Sequence, residues 1–240
     1  MNSQSHQPQP ENQNNYFDFA AEPPIPDSIS SLLIFGGSFD PPHRAHITFP
    51  KIAAQQVKAD RILLIPANRS PHKMGNEAAD TSADDRLKML RLAVADTAPE
   101  ISISSYEINH SPPSFTVNTL EALHKSLQSS PTAPRFFLLI GSDQALAFTR
   151  WHQWERILQL ATPVILLRPP HTTAISVAES LPDSSPLKHA KVINAPLDSA
   201  NSTTIRRLLQ ADDPNVSEFL HPAVLAYIKK HHLYHHIDKH

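Results

Sequence analysis

The sequence predicts an α/β fold, a doubly wound and mostly parallel sheet with helices on both faces. Three observations predict it. Short apolar runs alternate along the chain with longer segments of helical periodicity. The runs at 32–35 and 61–66 are too continuously apolar for strands with one face in water, which suits strands covered by helices on both sides. Glycine or polar turns follow three of the strands, at Gly36-Gly37, Ser70–Lys73 and Gly141-Ser142-Asp143, on the rim where open α/β sheets bind ligands.

The elements follow in order. Residues 1–30 are rich in Gln, Asn, Pro and Ser with little hydrophobic pattern and are expected to be disordered, leaving 31–240 as a single domain with a C-terminal helical segment. The strand at 32–35 leads into a helix reaching about Lys58. Pro50 lies inside that helix and deprives the His46 carbonyl of a donor, which predicts a kinked first turn or a late start. After the second strand, Ser82 with Asp85 three residues on reads as an N-cap, and Leu87, Leu90, Leu92 and Val94 give a helical stripe to about Asp96. Residues 100–104 alternate as a third strand. Residues 111–115 form a loop, and Thr116 opens a helix to Leu127. Residues 136–140 form the fourth strand, followed by two short helical pieces, the second carrying Trp151 and Trp154. The fifth strand is 164–167 and the sixth 191–194, with 169–188 between them read as a mobile, Pro- and Ser-rich loop. A helix opens near Ser202-Thr203, and the last runs from Pro222 to about His232. No internal repeat is visible.

Composition narrows the function classes. The net charge is −2, so a general nucleic-acid binder is not indicated. No apolar run approaches the ~20 residues of a membrane span, and no basic-then-apolar leader opens the chain. The absence of cysteine excludes disulfides and thiol chemistry and fits a cytoplasmic location. Of 15 histidines, five lie in the last ten residues, which read as a solvated helix end. Oligomeric state is not readable.

The most informative stretch is Gly36-Gly37-Ser38-Phe39-Asp40-Pro41-Pro42-His43-Arg44-Ala45-His46. The chain has only 4 glycines in 240 residues, against roughly 7% in average proteins. Such sparing use predicts glycine where the backbone needs φ > 0 or must approach a ligand. Neither G-x-G-x-x-G nor a G-K-[ST] loop is present. His43-x-x-His46 has three readings: a surface pair on a helix, a zinc pair, or two imidazoles at a helix start donating to phosphate. The glycine turn before it favours the third. A second anion signal is Asn201-Ser202-Thr203-Thr204-Ile205-Arg206-Arg207, where hydroxyls cap a helix and two arginines fall in its first turn. Cations are disfavoured there, so either Asp212 and Asp213 pair with them or an anion binds. Arg207 is the one expected in solvent.

These motifs resemble the bacterial nicotinate-mononucleotide adenylyltransferases, within the [HT]-x-G-H nucleotidyltransferase superfamily, over about residues 32–234. The family's G-G-[ST]-F-D-P-x-H-x-G-H is matched except at Ala45. Its S-P-H-K loop is Ser70–Lys73, its P-S-[YF]-T is Pro113–Thr116, and its G-x-D is Gly141–Asp143. Its tryptophan is Trp151, and its I-S-S-T-x-I-R is degraded at 200–206, with Asn201 replacing a serine. Val224–Ile228 and Leu233-Tyr234 resemble its C-terminal helix.

The resemblance implies a Rossmann-like fold and the reaction of ATP with nicotinate mononucleotide to give deamido-NAD and pyrophosphate, with Mg2+ carried by ATP and no protein metal ligands. His43, His46 and Arg206 are then catalytic. Gly36, Gly37, Ser38, Phe39, Asp143, Ser202 and Thr203 join them in binding ATP, and Lys73, Thr116 and Trp151 bind the mononucleotide. Asp143 is expected on a ribose, Trp151 stacked on the pyridine and the Thr116 amide on the nicotinate carboxylate. The alternatives are nicotinamide mononucleotide or phosphopantetheine as acceptor, a catalytically silent nucleotide sensor, and a zinc hydrolase using His43 and His46.

Overall fold

The computed structural model describes residues 19–68, 81–95, 100–110, 113–128, 133–168, 171, 173–196 and 201–234. Its strands are β1 (Ala21–Glu22), β2 (Ser31–Gly37), β3 (Arg61–Pro66), β4 (Ile101–Ser104), β5 (Arg135–Gly141), β6 (Thr162–Leu166) and β7 (Lys191–Ile193). They form one sheet in the order β1-β4-β3-β2-β5-β6-β7. Every pairing is parallel except the short edge strand β1, which runs antiparallel to β4.

The order reverses at β2. The chain leaves it for β3 and β4 on one side and returns to its other side at β5. The β2–β5 pairing stops at Ile34 opposite Leu138, so Phe35–Gly37 and Leu139–Gly141 run on unpaired to each other. That splayed pair of strand ends is the topological switch point, where open α/β sheets hold ligands.

Alternate residues of each strand feed two cores. On one face Leu33, Phe35, Ile62 and Leu64 pack with α1 (Ala45–Val57), α2 (Ala83–Val94), α8 (Ser202–Gln210) and α9 (Pro222–Lys230). On the other, Leu32, Ile34, Leu63 and Ile65 pack with α4 (Thr116–Ser126), α5 (Ser142–Leu146), α6 (Trp154–Leu160) and α7 (Ala174–Ser180). With helices on both faces, these strands bury side chains in both directions. Each fully buried Leu or Ile contributes about 1.5–3 kcal/mol.

Several expectations are corrected. Within the segment expected to be disordered, β1 pairs with β4, Phe19 stacks on Tyr106 at 5.1 Å, and Ile29 is buried; residues 1–18 lie outside the described residues. Residues 101–104 do not alternate: all four are buried, because β4 is covered on both faces. The stretch 169–188 is not a structureless loop. It holds α7, with a Thr173–Ser176 capping box, and Val177, Leu181 and Leu187 reach the core. Helix α1 does not start late: it opens at Ala45 and runs through Pro50 to Val57. A short helix, α3 (Tyr106–Asn109), was not anticipated.

The expected cap at α2 is present. Ser82 Oγ accepts from the Asp85 N–H at 3.0 Å. Its hydroxyl also bonds Asp85 Oδ2, and the Tyr227 hydroxyl donates to Asp85 Oδ1 at 2.8 Å, tying α9 to α2. The Ser82 bond foremost, with that from Tyr227, holds the Asp85 carboxyl below its ordinary value.

Candidate active site

At the end of β2 the backbone is laid open. Gly36 is exposed although it sits in the middle of the sheet. None of the three described glycines, Gly36, Gly37 and Gly141, takes a positive φ, one of the two uses the composition suggested. Gly141 has φ −70°, and an added Cβ there would press on the side chains of Asp143 and Arg168, which would have to shift. The left-handed residue of the first turn is Phe39, at φ 49° and 1% exposed. Its ring meets Phe35 edge-on at 5.7 Å and His46 at 5.0 Å.

The two histidine rings are in contact, with centroids 3.7 Å apart and planes tilted by 37°. His43 is buried and His46 half-buried. The His43 backbone N–H donates to His46 Nδ1 at 3.2 Å. A backbone N–H can only donate, so Nδ1 of His46 is the acceptor and its neutral ring carries the proton on Nε2. One bond thus satisfies an amide at a helix start and makes Nε2 a donor. Among the described residues no group of three or more His, Cys, Asp or Glu side chains could hold a metal, so the zinc reading finds no donor set there.

Helix α8 meets this turn directly. Arg206 Nη1 donates to the Asp40 carbonyl at 2.7 Å, and Ser202 Oγ to the Pro41 carbonyl at 3.3 Å. The helix is capped by the Asn201 side chain, which accepts from the Thr204 N–H at 2.8 Å, and not by a hydroxyl. Counting from Ser202, Arg206 and Arg207 fall in the second turn, which corrects the first-turn placement and weakens the dipole argument for an anion. Neither arginine forms a side-chain salt bridge with Asp212 or Asp213; Asp213 instead caps the next turn by accepting from the Asn215 N–H at 2.9 Å. Thr203 and Arg207 are exposed.

The neighbouring strand end carries Asp143, exposed in the first turn of α5. Ser142 Oγ bonds both the carbonyl and the N–H of Arg168, at 3.1 and 3.0 Å, joining the ends of β5 and β6. Helix α4 begins at Thr116 with Phe115 as its N-cap and no side-chain cap bond, so the Thr116 hydroxyl does not cap it. Trp151 lies between the 3-10 turn Phe148–Arg150 and α6, not within a helix as expected. It is half-buried, 5.4 Å from the Phe148 ring. The rings of His152 and Phe115 sit 4.5 Å apart, which brings the start of α4 and the Trp151 turn together. Lys73 lies outside the described residues.

Sequence reasoning missed four groups: Arg86, Tyr234, Arg168 and Glu107. The Glu107 carboxylate accepts from Thr119 Oγ1 at 2.7 Å in the first turns of α4. Burial raises its pKa, against the hydrogen bonds from Thr119 and Ser114. A carboxyl raised on folding binds more protons in the native state, so stability falls as pH rises from its ordinary value of 4.5 through the raised one. Glu107→Gln keeps an acceptor for Thr119 without the charge. It is expected to melt above wild type near pH 8 and to converge with it below the ordinary carboxyl pKa. A melting difference independent of pH would show that folding does not shift the Glu107 pKa.

The model of the cytidylyltransferase-like family matches residues 34–208. Over 213 residues the chain is 33% identical to a protein of Chromobacterium violaceum named a probable nicotinate-nucleotide adenylyltransferase, covering 84% of this chain and 97% of that one. A Bacillus pumilus protein of the same name is 32% identical over 206 residues, covering 86% and 99%. The fold matches that of the Plasmodium falciparum nicotinic acid mononucleotide adenylyltransferase solved with NaAD, with TM-score 0.67 at 21% identity over 85% of this chain and 97% of that one.

Proposed function

The chain belongs to the nicotinate-nucleotide adenylyltransferases, and from that premise we propose that it transfers the adenylyl group of ATP to nicotinate mononucleotide, releasing pyrophosphate and giving deamido-NAD for NAD biosynthesis. One observation carries the reading: the Gly36–His46 turn, its two contacting histidines, Arg206 and Ser202 converge beside the switch point of the sheet.

The mononucleotide's phosphate is already an anion and attacks the α-phosphorus of ATP without a general base, so the chain's task is positioning and charge stabilisation. His46 donates from Nε2 to the phosphates and, with His43, stabilises the negative charge that moves onto the leaving pyrophosphate. The backbone of Gly36, Gly37, Ser38 and Phe39 lies along the phosphates, and Arg206, Ser202 and Thr203 hold their far end. Asp143 accepts from a ribose hydroxyl. Trp151 stacks on the pyridine, the amide of Thr116 receives the carboxylate, and Lys73 balances phosphate charge. Imidazoles, hydroxyls and an arginine suit a metal held by the substrate's phosphates rather than by a protein cage. Mg2+ would arrive with ATP and neutralise charge on the departing pyrophosphate. No described helix is long and apolar enough to cross a membrane, and a cysteine-free chain making a soluble cofactor suits the cytoplasm.

The test is pyrophosphate release with ATP and nicotinate mononucleotide, nicotinamide mononucleotide or phosphopantetheine. The acid is expected to give the highest kcat/KM. A carboxamide brings no charge to the helix end and turns an NH2 toward a donor, leaving that donor unpaired at about 1–3 kcal/mol. Equal kcat/KM for acid and amide would show that the pocket reads something other than the carboxylate.

A further inference from the structure

We propose that Arg86 and Tyr234 are positioning residues for adenylyl transfer, holding the Ser38–Asp40 turn in the shape that presents its backbone to phosphate. The inference rests on the reaction assigned above.

Arg86 projects from α2 and is 1% exposed. Its Nη1 donates to the Ser38 carbonyl at 2.6 Å, and its Nη2 to the carbonyls of Ala67 and Asn68 at 2.7 and 3.0 Å. Burying a guanidinium carries a desolvation cost that an apolar residue avoids. That burial pulls the Arg86 pKa down, while the charge of Asp40 holds it up. What the arginine supplies in return is a planar fork that reaches three carbonyls at once. Two of them follow β3 and one follows β2, so Arg86 clamps together the loops leaving adjacent strands. The Ser38–Phe39 peptide is not among the cis bonds. In a trans peptide the N–H opposes the carbonyl. With the Ser38 carbonyl drawn onto the buried guanidinium, the Phe39 N–H points the other way.

Phe39 itself has φ 49°, a conformation unfavourable for a residue with a Cβ. Such a residue stays in place only when its surroundings over-determine it. Arg86 grips the residue before it. The residue after it, Asp40, is 4% exposed and held twice, its carbonyl by Arg206 and its Oδ1 by the Tyr234 hydroxyl at 2.6 Å. Tyr234 lies beyond α9 and is itself buried. Burial foremost, then the charge of Asp40, pushes its hydroxyl pKa far up, so it remains a donor at any physiological pH. The far end of the described chain thereby closes on the turn that opens the active site.

The experiment compares Tyr234→Phe and Arg86→Lys with wild type, by pyrophosphate-release kinetics and by melting with and without ATP and magnesium. Tyr234→Phe keeps the ring and removes the donor. It is expected to lower kcat/KM for ATP roughly ten- to a hundredfold while KM for the mononucleotide stays within about twofold. Arg86→Lys should show the same loss, because an ammonium cannot span the Ser38, Ala67 and Asn68 carbonyls as the guanidinium fork does. Should Arg86→Lys fail to fold, Tyr234→Phe decides alone. Lower melting temperatures with unchanged kcat/KM for ATP would make both residues structural only and overturn the proposal. If wild type releases no pyrophosphate with any acceptor, the assigned reaction fails on its own, and ATP-induced stabilisation decides. Its loss in Tyr234→Phe supports the positioning role, and its full retention overturns it. A wild type that neither reacts nor is stabilised by ATP overturns both.

Discussion

His46→Ala is expected to lower kcat by roughly 10²–10³-fold while changing ATP affinity little. In the role proposed for it, the Nε2 donor acts on charge that grows as the α-phosphorus bond to the leaving pyrophosphate breaks. Its loss therefore appears in the transition state more than in the bound ground state. The geometry supplies a control. His46 has a second task, accepting the His43 N–H through Nδ1 at 3.2 Å, and its ring packs on Phe39. Asparagine places an oxygen where Nδ1 was and nothing where Nε2 was. His46→Asn should therefore keep more of the wild-type melting temperature than His46→Ala and still lose the rate. Steady-state kinetics with calorimetric ATP binding separate the two tasks. An intact kcat in either variant would remove His46 from the chemistry.

The sequence was most legible where one residue type has one physical use. Continuous apolar runs between helical segments announced parallel strands, and their polar C-terminal turns announced the rim. The structure adds what patterning cannot carry, such as the divergence of β2 from β5 beyond Ile34 and Leu138. The misreadings have physical causes. Arg86 sits on the buried face of α2 with Leu87, Met89, Leu90 and Ala93, but an arginine in a helix is usually solvated. Only the three carbonyls of distant loops give it a place inside, and those are invisible in a local window. Tyr234 lies 194 residues from its partner Asp40. The segment 169–188 has the Pro and Ser content of a loop, yet the capping box at Thr173 and three buried apolar residues suffice to dock a two-turn helix. In the first turn Gly36 and Gly37 do not take the positive φ that was one of the two uses expected of glycine. The backbone conformation glycine favours is taken by Phe39, whose ring is clamped between Phe35 and His46.

Arg206 tests the same site from the other side. Were it only a phosphate ligand, Arg206→Ala would leave the ligand-free fold as stable as wild type. The structure gives it a second role, because Nη1 donates to the Asp40 carbonyl at 2.7 Å in a half-buried setting. Removing the donor from a carbonyl shielded from water costs about 1–3 kcal/mol, so Arg206→Ala should melt below wild type even without ligand. It should also weaken ATP binding by up to about a hundredfold, since a charge-assisted contact to phosphate is worth about 1.5–3 kcal/mol. Arg206→Lys separates the two effects. An ammonium is a point donor, able to serve the carbonyl or the phosphate but not to fork between them. The lysine variant should therefore recover most of the melting temperature and only part of the ATP affinity. The measurement is melting of wild type and both variants, with and without ATP and magnesium, beside calorimetric titration of ATP. If Arg206→Ala melts below wild type yet binds ATP with undiminished affinity, Arg206 serves the Asp40 carbonyl alone and the triphosphate lies elsewhere on the rim.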